Sequence, residues 1–175
     1  KLAARTGHVI LLDDLFAEAI AKAEKIIEEK NGNLADKRKI AEAVGVGAIV
    51  FNALSNNRIK DSNFVWEEAL SFDGNTGPYV QYTYARTASV LRKADAAEGG
   101  FDAYRPEKDE AALVSTLSAF PAKVLSALAD YEPCVIARYA LDVCAAYNLF
   151  YHNRVILKAE GEAKAKLIAA EAERD

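Results

Sequence analysis

Four residues, Asn75-Thr76-Gly77-Pro78, fix a boundary between loop and helix more firmly than any other part of this sequence. Asn and Gly favour a turn, Thr76 suits a helix N-cap, and Pro78 suits the first helical position, where its missing N–H is not needed. The pattern predicts a short helix around Val65–Leu70, a tight polar loop over Ser71–Gly77 and a long helix from Pro78 to about Ala97. Tyr82 and Arg86 lie four positions apart in that helix and share one face. Val80, Tyr84 and Leu91 fall on a different side and are expected to face a core. A ring and a guanidinium beside a Gly-containing loop can stack on an unpaired base and hydrogen-bond its edge. A plainer reading, a buried tyrosine next to a solvated arginine, fits the same spacing.

Helical periodicity extends through the rest of the chain. Asp13 or Asp14 can cap a helix to about Lys30, with Leu15, Ala19, Ile20, Ala23, Ile26 and Ile27 as its apolar stripe, and Asn31, Gly32 and Asn33 end it. Asp36 starts a second helix carrying Ile40, Val44, Ala48, Phe51 and Leu54. Gly45 and Gly47 inside it each cost up to about 1 kcal/mol relative to Ala, which predicts close approach of another backbone. Asn56 and Asn57 end this helix, and Arg58–Asn63 read as an extended connector. After a linker over residues 98–107, Asp109 opens a helix that Pro121 kinks or divides, with Leu113, Leu117, Val124, Leu125 and Leu128 as core candidates. Pro133 starts another, to about Leu157, and Glu160 or Gly161 precedes a last one. His8–Leu11 is the sole strand candidate. The predicted architecture is an all-α helical bundle.

Bulk properties narrow the function classes. A hydrophobic fraction of 51% with 27% charged residues belongs to a soluble globular chain, and no apolar run approaches the roughly 20 residues of a membrane span. No signal-peptide pattern is present, so a cytoplasmic setting is expected. The net charge of −4 argues mildly against a surface coated in nucleic acid, without excluding a local basic patch. Lys37–Lys39, Arg58 with Lys60, and Arg86 with Arg92 and Lys93 are the basic clusters, each readable as a solvated helix face or a phosphate contact. Cys134 and Cys144, ten positions apart on one helix and thus about 15 Å apart, cannot form a disulfide or share a metal. They read as small buried fillers. The chain has no Met and stops within the helical pattern EAKAKLIAAEAERD, from which we expect a piece of a longer protein.

Catalytic chemistry is poorly provided for. His8 and His152 are the only histidines, and neither pairs locally with a Ser or Cys nucleophile. The acidic pairs Asp13–Asp14, Glu28–Glu29 and Glu67–Glu68 are adjacent in sequence and splay apart on a helix. No metal-ligand spacing and no phosphate-cradling glycine loop occurs. The chain alone is not expected to be an enzyme.

A resemblance adds to this reading. SFDGNTGPYVQYTYAR at positions 71–86 resembles the signature that opens the anticodon-binding domain of arginyl-tRNA synthetases, a class I family. AVGVGAIVFNALSNNRIKDSNFVWEEAL at 43–70 is similar to the stretch preceding it in those enzymes, and YALDVCAAYNLFYHNRVIL at 139–157 is similar to the helix carrying their F-x-x-F-Y-type aromatic run. KLAARTG at Lys1–Gly7 sits where class I synthetases carry a K-M-S-K-S loop. Lys1 takes the place of the first lysine and Leu2 that of the methionine, but Ala4 replaces the second lysine, so no catalytic role carries over to position 4.

The resemblance implies a bundle of the class I synthetase anticodon-binding type. Residues 1–34 would be a remnant of the catalytic domain with its connecting helix, and 35–175 an anticodon-binding domain. It implies contact with the anticodon loop of arginine tRNA through Asp73, Gly74, Asn75 and Thr76 in the loop, and through Tyr82, Arg86 and Tyr151, expected to line a shared cleft. Gly74 and Gly77 would let backbone approach a base. Tyr147 stands where a Phe is common. Tyr79, Tyr84, Tyr147 and Phe150 read as core, and Gln81 as a cap or a bridge between helices. The parent enzyme would attach arginine to its tRNA using ATP and Mg²⁺, with no cofactor in this fragment, no DNA or membrane partner, and a monomeric state. The rival reading is a helical scaffold that binds protein through an amphipathic groove, with Leu167 and Ile168 exposed on the last helix.

Overall fold

The computed structural model describes residues 11–61, 64–93 and 107–154. Every regular element among them is an α-helix: α1 (Leu12–Asn31), α2 (Lys37–Ser55), α3 (Trp66–Ala69), α4 (Gly77–Lys93), α5 (Lys108–Ser118), α6 (Phe120–Asp130) and α7 (Cys134–Asn153). The strand candidate at residues 8–10, the end of the α4 pattern, nearly all of the 98–107 linker, and everything past Arg154 lie outside the described residues. The chain divides into two compact units, Lys1–Tyr82 with Pro121–Leu141 and Thr83–Phe120 with Asp142–Asp175.

In the first unit, α1 and α2 meet along a seam of small residues. Ala19 and Ala23 of α1 and Ala41, Gly45 and Ala48 of α2 are buried. A Cβ on Gly45 would fall 2.8 Å from both the Ala19 carbonyl carbon and the Ile20 nitrogen, so glycine alone permits this approach. The predicted backbone contact is thus found at Gly45. At Gly47 the neighbour is a side chain, with Gln81 Nε2 only 2.5 Å from where a Cβ would sit. A turn at 32–36 joins α1 to α2.

Local chemistry sets the ends of the helices. The first begins one residue before Asp13, capped by Leu11, and places Asp13 and Asp14 in its first turn, where carboxylates suit the positive end of the dipole. Asn56 Nδ2 donates to the Asn52 carbonyl at 2.7 Å at the end of α2. Arg58 to Asp61, expected to be extended, instead begin with a tight turn. Asn57 Oδ1 accepts the Ile59 N–H at 3.1 Å and its carbonyl accepts the Lys60 N–H at 3.0 Å, an arrangement typical of asparagine.

Pro121 divides α5 from α6, as predicted. α6 closes with Glu132 N–H to Ala127 carbonyl at 3.0 Å and Tyr131 N–H to Leu128 carbonyl at 3.3 Å, with Tyr131 in the left-handed region at φ 52°. Arg58 Nη1 donates to the Asp130 and Tyr131 carbonyls at 2.8 and 3.1 Å and pairs with Glu132, which also accepts from Asn57 at 3.0 Å. Arg58 is therefore a clamp on a helix end. Lys37 pairs with Glu28, and Arg38 with Glu24 and Glu42 at 3.2 Å, so those cations too have carboxylate partners, at the solvent-exposed surface. Being exposed, each such pair contributes no more than about 1 kcal/mol.

Several predicted core positions are exposed. Leu117 on α5 and Val124, Leu125 and Leu128 on α6 all face outward, and no residue of α6 is buried. An apolar stripe specifies which face benefits from cover, not which element covers it. The segment Glu110–Asp130 has the length and apolarity of a membrane span by composition alone, and none of its apolar window is buried.

We expect Gly45→Ala to lower stability by about 1–2 kcal/mol in urea denaturation, because backbone atoms of α1 cannot yield and the overlap outweighs the gain in helix propensity. Gly47→Ala should cost less, since the end of the Gln81 side chain can rotate away.

Candidate functional site

The loop Ser71–Gly77 is tied at both ends. Thr76 Oγ1 donates to the Ser71 carbonyl at 2.6 Å and accepts the Tyr79 N–H at 3.1 Å, so one hydroxyl closes the loop and caps α4. Ser71 Oγ accepts the Asp73 N–H at 3.1 Å. The helix begins at Gly77, placing Pro78 one position later than predicted and fully buried. A Cβ on Gly77 would fall 2.8 Å from the Gly47 carbonyl oxygen and 2.9 Å from Phe51 Cβ. The missing Cβ of Gly77 thus makes room for α2, while Gly77 itself lines the cleft beside the loop. Gly74, at φ 87° with nothing within 4 Å of a Cβ position, keeps the role of an exposed tip.

Asp73, Gly74, Asn75 and Thr76 line one cleft of about 430 Å³, together with Phe51 and Asn52 of α2 and Glu67 and Glu68 around α3. Gln81 Nε2 donates to the Ala43 carbonyl at 2.8 Å and so bridges α4 to α2. Tyr82 is 48% exposed, and its ring meets Phe72 edge-on, with centroids 6.4 Å apart. Lys30 of α1 lies 5.4 Å over the other contact of this group, the Phe72 ring.

In the second unit, Arg86 on α4 and Tyr151 on α7 come together, with the guanidinium carbon 5.0 Å from the ring centroid. Arg86 Nη1 donates to Asn148 Oδ1 at 2.7 Å, and Asn148 Nδ2 donates to Thr83 Oγ1 at 3.1 Å. Thr83 is only 4% exposed. Tyr147 and Tyr151 pack as tilted rings 6.1 Å apart. Burial pushes the Cys144 thiol above its ordinary value, partly opposed by a side-chain hydrogen bond with Thr83. Both cysteines are buried and free, as predicted.

Of the predicted site residues, the four loop positions share one cleft, Tyr82 contacts Phe72, and Arg86 contacts Tyr151; Lys1 lies outside the described residues. Tyr84, predicted to be core, is 75% exposed, and Leu91 is exposed as well. The spacing separated their face from that of Tyr82 and Arg86 but did not say which face points inward. Phe72, Thr83 and Asn148 were not singled out from the sequence. Thr83 lies three positions before Arg86, and Asn148 three before Tyr151, the helical spacing of same-face neighbours that could have pointed to them.

Comparison with known proteins follows the same segments. Residues 80–173 match the family described as DALR anticodon binding domain. The chain belongs to this family. Residues 1–66 match the class I tRNA synthetase (R) catalytic domain family. Arginine–tRNA ligase of Clostridium perfringens is 45% identical over 99% of this chain and 32% of its own length, and that of Ligilactobacillus salivarius 46% identical over 95% and 30%. The chain therefore spans about a third of these relatives. The arginyl-tRNA synthetase structure of Thermus thermophilus superposes with a TM-score of 0.77 at 40% identity, covering 83% of this chain and 25% of that one. The Plasmodium falciparum arginyl-tRNA synthetase gives 0.74 at 26% identity, covering 83% and 27%. The DALR match thus contains α5, α6 and α7 and all but the first turn of α4, and with them Tyr82, Arg86 and Tyr151.

Thr76→Ala should cost about 1 kcal/mol in thermal denaturation through loss of the cap, and Thr76→Ser should restore most of it. For Cys144 the folded thiol ionises at higher pH than the unfolded one. Its contribution to stability is fully present below the unfolded value of roughly pH 8.5 and is lost as pH rises through the raised folded value. A stability-versus-pH curve of Cys144→Ala should lack that alkaline decline.

Proposed function

We propose that this chain recognises the anticodon loop of an arginine tRNA, as the anticodon-binding part of an arginine–tRNA ligase. The observation that carries the reading is the Arg86–Tyr151 stack, built from two helices of the DALR match. Bases turned out of an anticodon loop present π-faces and Watson–Crick edges. A guanidinium already seated on a ring offers a cationic plane to a base or a phosphate. The half-exposed ring of Tyr82 offers a second stacking face. At the loop, Asp73, Gly74, Asn75 and Thr76 surround a cleft of about 430 Å³, within the size range of small-ligand pockets, and supply backbone and carboxylate groups for a base edge.

The activity of the parent enzyme belongs to the same proposal: attachment of arginine to its tRNA with ATP and Mg²⁺, in the cytoplasm and as a monomer. It is supported by similarity to arginine–tRNA ligases over nearly the whole chain. Among the described residues no three His, Cys, Asp or Glu side chains converge as a metal would require, and none is assigned to Mg²⁺. We assign residues 1–34 to the end of the catalytic part and 35–175 to the anticodon-binding bundle. The two family matches meet later, between residues 66 and 80. Limited proteolysis distinguishes the placements: a cut near residue 34 supports the first, and one near residue 62 that leaves α1 and α2 together supports the second.

Titration of the 175-residue chain with arginine tRNA and with an anticodon-replaced control tests the reading. Tyr82→Ala, Arg86→Ala and Tyr151→Ala should each weaken the anticodon-dependent part by about 1–3 kcal/mol, the range for one stacked base. Binding by the parent chain that ignores the anticodon would favour the rival protein scaffold, for which the exposed Val124, Leu125 and Leu128 stripe is available.

A further inference from the structure

Arg86 does not stand alone in the second unit. It is the outer member of a polar chain running from the interior to the surface: the buried Thr83 hydroxyl accepts from the Asn148 amide at 3.1 Å, and the Asn148 carbonyl accepts from Arg86 Nη1 at 2.7 Å. A side-chain amide can hold both contacts at once because its carbonyl oxygen accepts and its NH2 donates, the two diverging within one rigid plane. The inner end is fixed, since Thr83 is 4% exposed and its carbonyl accepts the Thr87 hydroxyl at 2.9 Å. The outer end decides where one edge of the guanidinium lies, and the Tyr151 ring 5.0 Å away limits the plane. A long arginine side chain loses substantial rotamer freedom when a ligand immobilises it.

We propose that Asn148 is a positioning residue for the anticodon-binding site: it holds Arg86 over Tyr151 before RNA arrives, so that the guanidinium meets a nucleotide already oriented. This rests on the anticodon reading above and extends it to a residue that would not itself touch RNA. Thr83 anchors Asn148 in turn. Without Asn148, Arg86 keeps its charge and the ring but loses the bond that sets its Nη1 edge, and each binding event must then order that edge.

The test is a double-mutant cycle in the 175-residue chain, titrated with a synthetic anticodon stem-loop of an arginine tRNA and with the same stem-loop carrying a replaced anticodon. Arg86→Ala and Asn148→Ala should each weaken the matched stem-loop about tenfold, and the double variant no more than the stronger single one. Thr83→Val, close in shape to threonine, should act in the same direction by about threefold. In parent protein without RNA, the Arg86 Nε–H signal should be resolved by NMR, and in Asn148→Ala it should broaden or exchange faster, a change that loss of stability elsewhere would not produce. If Asn148→Ala fails to fold, Thr83→Val and its Arg86 signal decide. Losses that multiply in the double variant, or unchanged affinity in Asn148→Ala while Arg86→Ala weakens, overturn the positioning role. No effect of Arg86→Ala on the matched stem-loop defeats the anticodon reading for that residue instead.

Discussion

The seating of the α4 N-terminus on α2 determines where the functional side chains of the first unit can be. Gly77 comes within van der Waals reach of the Gly47 carbonyl, Gln81 bonds the Ala43 carbonyl one turn later, and Thr76 closes the preceding loop. These contacts fix both the height and the rotation of the helix, because two attachment points one turn apart leave no freedom to spin. At 100° per residue, a helix held at positions 77 and 81 has its phase set at 82. Gly77 and Gly47, on facing backbones, therefore set this packing, and Gly77 also lines the cleft beside the loop. The same contact decides the fate of the loop: with Gly77 and Pro78 buried, only its tip remains available to solvent.

Electrostatics assign a modest role to bulk attraction. The chain carries a net charge of −4, and several cations are committed to partners: Lys37 and Arg38 to glutamates, Arg58 to the carbonyl end of α6 and to Glu132. A polyanion approaching such a surface gains little from counterion release, the term that dominates most nucleic-acid affinity. In the proposed reading, discrimination then falls to rings, amides and a single oriented guanidinium. Those groups act at short range and depend on geometry more than on salt, which suits selection among anticodons better than tight retention of any RNA.

The division between what the residues announced and what they did not follows from the physics. The Asn75–Pro78 boundary, the break at Pro121, and the ends of α1 and α2 at asparagine and glycine were legible because local backbone chemistry dictates them. Gly45 was legible as a close approach, since a costly glycine in a helix needs a reason. Its partner was not, and the similar signal at Gly47 proved to accommodate a side chain. Tyr84, Leu125 and Leu128 show the limit of periodicity: it groups residues on a face, while burial depends on neighbours distant in sequence. Among the proposed contact residues, Tyr82, Arg86 and Tyr151 stood out through a resemblance to arginyl-tRNA synthetases. Asn148 and Thr83 did not, because an amide and a hydroxyl in mid-helix have many uses, and only the meeting of α4 and α7 reveals this one.

That meeting also bears on why an arginine is suited to position 86. A lysine there could reach the Asn148 carbonyl or sit over the Tyr151 ring, but a point charge on a flexible stem has no plane to align with either. The guanidinium meets both at once: Nη1 donates to the Asn148 amide oxygen while its central carbon lies 5.0 Å from the Tyr151 ring centroid. In the proposed reading, part of the ordering cost of binding is then met when the protein folds, through contacts that α4 and α7 supply whether or not RNA is present. The buried Thr83 makes this durable, because an anchor shielded from water does not exchange its partner for solvent as readily as an exposed one. In that reading, folding stability and recognition are joined at this point of the chain.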